Sequence, residues 1–240
     1  MTPEDVTPED VCAALAHPAA TPPADLPPAE ADAILASISA SYFRLRRGMA
    51  LVAFALPPTL WLGGGLGRLQ GSLSAYYHHA DGQMRDVLVG ALWALGTFLY
   101  FYKGYSRAED LALDGAGLAA VLVAVAPMDW PAGAPATLTG RLHAAAAIGF
   151  FLLIAYVCVF RSGDTLRLLR DEAQAATFRA TYRLLGLLMV ALPLAVWAVH
   201  ALAPARENSP VLFLVEAAGV YVFAAFWWIK SREIAALERQ

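Results

Sequence analysis

Six apolar stretches of helical length fill the chain, at 48–66, 87–102, 111–128, 142–160, 184–203 and 211–229. A helix that crosses a bilayer needs roughly 20 mostly apolar residues, and it must satisfy its backbone internally because the hydrocarbon holds no water. Apolar residues make up 59% of the chain and charged residues 15%. A soluble domain has roughly 45–50% and roughly 25%. Six such runs in a soluble protein would need a core far larger than 240 residues supply. The expected fold is all-α, an integral membrane bundle of six transmembrane helices. The short second stretch ends in Phe98-Leu-Tyr-Phe-Tyr102, which suits an aromatic interface belt.

Residues 1–29 hold seven of the fifteen prolines and the direct repeat Thr-Pro-Glu-Asp-Val, at 2–6 and 7–11. Such a segment buries too little apolar surface to offset its ordering entropy. It is expected to be a disordered, acidic cytoplasmic tail, with a docking peptide for a cytoplasmic partner as the alternative. It has no apolar h-region, so a signal peptide is not expected. In 30–47, Ile34, Leu35, Ile38 and Tyr42 recur at helical spacing, which predicts a short juxtamembrane surface helix. It leads into Arg44, Arg46 and Arg47. Residues 230–240 form the C-terminal tail.

Basic residues set the orientation. With a cytoplasmic N-terminus, thirteen of the seventeen Lys and Arg fall on inner segments and four on outer loops. The positive-inside rule then places both termini in the cytoplasm, with the chain in a bacterial inner membrane. The net charge of −3 gives no basic patch for nucleic acid. Cys12 and Cys158 fall in the tail and a span, so no disulfide is expected. The inner loop 162–182 reads either as an amphipathic interface helix or as an extension of the next span. Pro57, Pro58 and Pro193 are candidate kinks. Gly115-Ala-Gly117 and the alanines at 144–147 are small faces for close helix packing. Glu109, Asp110 and Asp114 read as solvated charge at a helix N-terminus, where the dipole favours acids.

The polar residues near the spans gather on the outer side. Ser72, Ser74, Tyr76 and His78 alternate and would share one face of an extended segment. Asp86 follows in Arg85-Asp86. Asp129 ends the third stretch and His143 opens the fourth, at the same level. Glu216 lies five residues into the sixth stretch, about 7 Å deep at about 1.5 Å per residue. An intramembrane carboxylate is costly, and such residues usually face the bundle interior and pair. His200 could simply snorkel to the interface. Together Ser72, Ser74, Tyr76, His78, Asp86, Asp129, His143 and Glu216 form a candidate binding pocket. His78, Asp129 and His143 could supply ligands to zinc, whose bound water would become a nucleophile near neutral pH. No paired-His helix motif accompanies them.

Residues 71–160 carry a resemblance. They hold Ser72-x-Ser74, then Arg85-Asp86 before the second span, then a basic turn with Lys103 and Arg107. Ala116-Gly-Leu118 and Val123-Ala124 follow in the third span, and His143 opens the fourth ahead of Phe150-Phe151. This pattern resembles the damage-regulated autophagy modulator family, with its GPI-anchor remodelling relatives and bacterial homologues without an assigned activity. The resemblance implies six helices and a lipid-related role. A fainter similarity, to the alkaline ceramidase and adiponectin-receptor superfamily, implies zinc held by Ser, His and Asp near helix ends. The chain lacks that group's late His-x-x-x-His pair and its seventh helix.

The leading expectation is a polytopic protein that binds a lipid or other amphiphile at an outer-facing pocket. A metal-dependent hydrolase of lipid amides or esters is the alternative. A transporter with Glu216 as proton carrier is a third, though no internal repeat supports it. Membrane lipids are the expected partners, and self-association into a homo-oligomer is left open.

Overall fold

The computed structural model describes residues 27–65, 69–79, 82–131, 133–202 and 210–237. The repeat-bearing tail and the His200 side chain lie outside the described residues. Contacts divide the chain into two units, 1–43 and 44–240. In the first unit the described residues are helical, with Ile34 and Ile38 exposed and Ser41 Oγ donating to Ser37 O at 2.9 Å.

The described residues form six α-helices joined by short 3₁₀ and π turns. Helix α1 spans Pro28–Gly63, and α2 spans Gln83–Phe101. Helix α3 spans Arg107–Val125, and α4 spans Leu138–Tyr156. Helix α5 spans Glu172–Leu202, and α6 spans Pro210–Leu237. The surface helix expected at 30–47 and the stretch expected at 48–66 are one helix of 36 residues. Nothing between Ala29 and Leu56 can break it, since Gly48 alone costs only about 1 kcal/mol. Pro57 and Pro58 lie inside α1, as Pro193 does inside α5.

Helix ends follow the local chemistry. Ser106 caps α3 by accepting from Glu109 N, at 3.2 Å. Thr137 caps α4 by accepting from Gly140 N, at 3.0 Å. Helix α3 stops at Val125, short of the expected 128, because Ala126 turns extended ahead of Pro127. Helix α4 widens into a π turn at Val157–Arg161, and 3₁₀ turns follow at Ser162–Asp164 and Leu166–Leu168. Asp171 Oδ1 then accepts from Ala173 N (2.9 Å) and Gln174 N (3.2 Å) and starts α5. Of the two readings of 162–182, extension of the next helix holds from Glu172 onward.

Among the described residues, four segments are long and apolar enough to cross a membrane: Gln83–Phe101, Leu138–Leu168, Glu172–Ala195 and Pro210–Ala236. Helix α3 is more charged, carrying Arg107, Glu109, Asp110 and Asp114 in its first turns. The apolar part of α1 follows Arg44, Arg46 and Arg47 and contains the two prolines. The surface is rich in large apolar side chains, and a few charged ones are buried among the apolar core. Phe54, Phe101, Leu187 and Trp197 are 62–75% exposed, while Arg46, Lys230 and Glu233 are at most 2% exposed.

Small residues set the closest helix contact. A Cβ on Gly96 would sit 2.7 Å from Gly117 O, and one on Gly117 would sit 2.6 Å from Gly96 O. The backbones of α2 and α3 therefore touch there, as the expected small face requires. In the alanine run at 144–147 only Ala146 is buried.

Candidate functional site

Polar side chains collect at both ends of the bundle. At one end, the segment after α1 folds back over the helices. Leu73 and Tyr76 enter an apolar cluster with Leu56 and Leu60 of α1, Met84 and Leu88 of α2, and Phe213 and Ala217 of α6. Ser74–His78 is a 3₁₀ helix, so the shared face expected of an extended strand does not form. The cause is local. Ser72 Oγ accepts from Ser74 N at 3.1 Å and bends the chain into a turn.

That turn carries a chain of hydrogen bonds. Glu216, on the seventh residue of α6, accepts at Oε2 from Ser72 Oγ (2.8 Å) and from Leu73 N (2.7 Å). His143 Nδ1 donates to Ala126 O at 2.7 Å, and in the neutral ring its Nε2 accepts from Ser74 Oγ at 3.1 Å. His78 Nε2 donates to Met128 O at 3.1 Å, and its ring stacks on Trp130 with centroids 5.5 Å apart. Ser72, Ser74, His143 and Glu216 are thus joined through one turn, and His78 holds the neighbouring loop.

Other expected members stand apart. Asp86 pairs at the surface with Arg85, at 3.1 Å. Asp129 Oδ1 accepts from Thr137 N (3.1 Å) and Thr137 Oγ1 (2.6 Å), and so braces the cap of α4. Gly140 makes room for it, because a Cβ there would lie 2.1 Å from Asp129 Oδ2. Tyr76 is buried, stacks on His79 and packs at a tilt against Phe213.

The zinc set expected from His78, Asp129 and His143 is not assembled. Among the described residues no group of three or more His, Cys, Asp and Glu is placed to hold a metal ion. His143 has both ring nitrogens engaged, His78 Nε2 is turned to Met128 O, and Asp129 Oδ1 is held by Thr137.

The other end holds a cluster that sequence reasoning missed. Lys230 and Glu233 form a buried ion pair at 3.0 Å, with side chains 3% and 0% exposed. Lys230 Nζ also donates to Thr165 Oγ1 (2.7 Å) and Ser162 O (3.4 Å). Glu233 accepts from the hydroxyls of Thr165 and Tyr182. Lys230 also lies over the Tyr182 ring, 5.3 Å from its centroid. All three ammonium donors and both carboxylate oxygens are used, which a buried pair needs if it is to offset its desolvation.

A second buried cation lies nearby. Arg46 Nε donates to Tyr102 Oη at 2.6 Å, and the guanidinium sits over that ring. Tyr102 packs edge-on against Trp227, at 5.0 Å. Arg46 Nη1 and Trp227 Nε1 are buried donors with no acceptor among the described residues. Glu109, expected as solvated charge, is 3% exposed and accepts from Tyr105 N at 2.9 Å. Burial pushes its carboxyl above the ordinary carboxylate range, against the pull of that hydrogen bond. Gly104 lets it in, since a Cβ there would meet Glu109 Cγ at 2.7 Å.

No family model, curated protein or solved structure matches the chain.

Proposed function

We propose that the chain is an integral membrane protein of six spans with both termini in the cytoplasm. Its role is to hold a lipid or other amphiphile by the head group at the Ser72–His143–Glu216 end. The membrane part rests on the inverted surface: large apolar side chains outside, charged side chains within. The orientation rests on the thirteen-to-four basic bias, which would put the Lys230–Glu233 end in the cytoplasm. Membership of the damage-regulated autophagy modulator group belongs to the same proposal and rests on the motifs within 71–160.

Glu216 carries the binding part. A carboxylate at this depth normally pairs. Here Oε2 takes two neutral donors, and Oε1 takes no hydrogen bond from a described residue. That oxygen suits the hydroxyl or ammonium of a head group, and membrane lipids are the natural source. The hydrolase alternative has no ligand set to stand on among the described residues.

Two measurements test this reading. Native mass spectrometry of protein extracted in mild detergent should find bound amphiphile. Glu216→Gln should lower its occupancy about tenfold, the scale of one charge-assisted hydrogen bond. The fold should survive, because the amide oxygen still accepts from Ser72 and Leu73. Equal occupancy in the variant would sink the binding claim. For orientation, Ala136→Cys should react with a membrane-impermeant maleimide on intact cells. Ala173→Cys, exposed at the other end, should react only after permeabilisation. The reverse pattern overturns the topology.

A further inference from the structure

A cavity of about 160 Å³ opens beside the buried ion pair, lined by Cys158, Val159, Gly163, Arg179, Tyr182 and Arg183. We propose that it is a binding site for a phosphate group, at the end of the bundle opposite Glu216 and independent of the function proposed there. Arg179 and Arg183 lie one turn apart on α5, so their side chains reach the same side of the helix. Both are exposed at the cavity mouth, and neither makes an ion pair with a described residue. Two unspent guanidinium forks are the donor set that recognises phosphate bidentately.

The surroundings keep the site cationic. Glu233, behind the Tyr182 wall, is neutralised by Lys230 at 3.0 Å. Asp164 is held by Arg161 at 3.5 Å. Neither carboxylate is left to repel an anion. The floor is set by close packing, since a Cβ on Gly186 would lie 2.4 Å from Val159 Cγ2. Gly163 lines the cavity and is exposed, and a Cβ there would meet nothing within 4 Å. The phosphate could sit on a lipid of the adjoining leaflet or on a soluble phosphomonoester. The recognising chemistry is the same.

The test uses the full-length protein in nanodiscs of phosphatidylcholine, with and without phosphatidic acid, and in phosphatidylcholine with millimolar inorganic phosphate. Lipid retention is read by native mass spectrometry and phosphate binding by thermal shift. Wild type should bind one of the two probes. Phosphatidic acid alone identifies a lipid site, and inorganic phosphate alone or in competition identifies a soluble ligand. Arg179→Gln with Arg183→Gln should weaken binding at least about tenfold, the scale of one lost charge-assisted hydrogen bond. Gly163→Leu puts a bulky side chain on the cavity lining with both arginines in place and should weaken binding as much. Arg167→Gln with Arg170→Gln removes the same charge from the neighbouring loop and should leave binding unchanged. Failure of wild type to bind either probe overturns the proposal. So does a Gly163→Leu protein that binds like wild type, or equal loss from the Arg167 and Arg170 changes, which would mean diffuse attraction to basic residues.

Discussion

Replacing Lys230 with methionine is expected to destabilise the fold by about 3–5 kcal/mol, the range for breaking one partner out of a buried pair. Methionine matches the length of the lysine stem but leaves the Glu233 carboxylate without a cation in a site that is closed to water. The hydroxyls of Thr165 and Tyr182 would remain on Glu233. Neutral donors soften the loss of the cation and do not replace it. Ser162 O and Thr165 Oγ1 would each lose a donor as well. The double variant Lys230→Met with Glu233→Leu should recover part of that loss, because the uncompensated charge is gone while the hydroxyls of Thr165 and Tyr182 are left without their acceptor. Thermal unfolding of the purified single and double variants in one detergent decides the matter. A double variant no more stable than the single would mean that the residues act as packing volume and not as a pair.

The second large effect is expected at the contact of α2 and α3. Gly117→Leu should cost at least the upper part of the roughly 1–3 kcal/mol range for overpacking. The obstacles are Gly96 O at 2.6 Å and Tyr100 N at 3.0 Å from the added Cβ. Both are backbone atoms, so no rotamer change relieves the clash and the helices must separate. Gly149→Ala is the control. It sits in α4 with nothing within 4 Å of the added Cβ, and should be neutral or mildly stabilising. If both variants melt alike, the contact does not hold α2 and α3 together.

The helices were legible in the sequence because their signal is bulk apolarity, which survives without knowledge of neighbours. Their ends were less so. The 30–47 segment and the first apolar stretch looked separate because charge changes at Arg44–Arg47, yet backbone helicity does not depend on that change. The Glu216 end was legible in outline, since a carboxylate among apolar residues stands out at once. Its geometry was not, because the contact that ties the Ser72 turn to Glu216 spans 144 residues of chain, and the Thr137 cap is braced by Asp129 from another segment. The Lys230–Glu233 cluster was missed for a different reason. Arg46, Lys230 and Glu109 flank the apolar stretches, where charge is read as solvated or as an orientation signal. One clue was present: Lys230 and Glu233 are one turn apart and continue the face of Phe223, Phe226 and Trp227, all buried.

Helix α6 touches both polar clusters, and that bears on how the protein is made. Glu216 ties down a turn that emerged 144 residues earlier, and Glu233 receives hydroxyls from residues 68 and 51 positions upstream. During synthesis, Ser72, Thr165 and Tyr182 are all made before the carboxylates that accept from them. Helix α6 then supplies both carboxylate acceptors on one element, and so acts as a latch across the two ends. A chain interrupted before that helix would leave Thr165, Tyr182 and Ser72 without these acceptors.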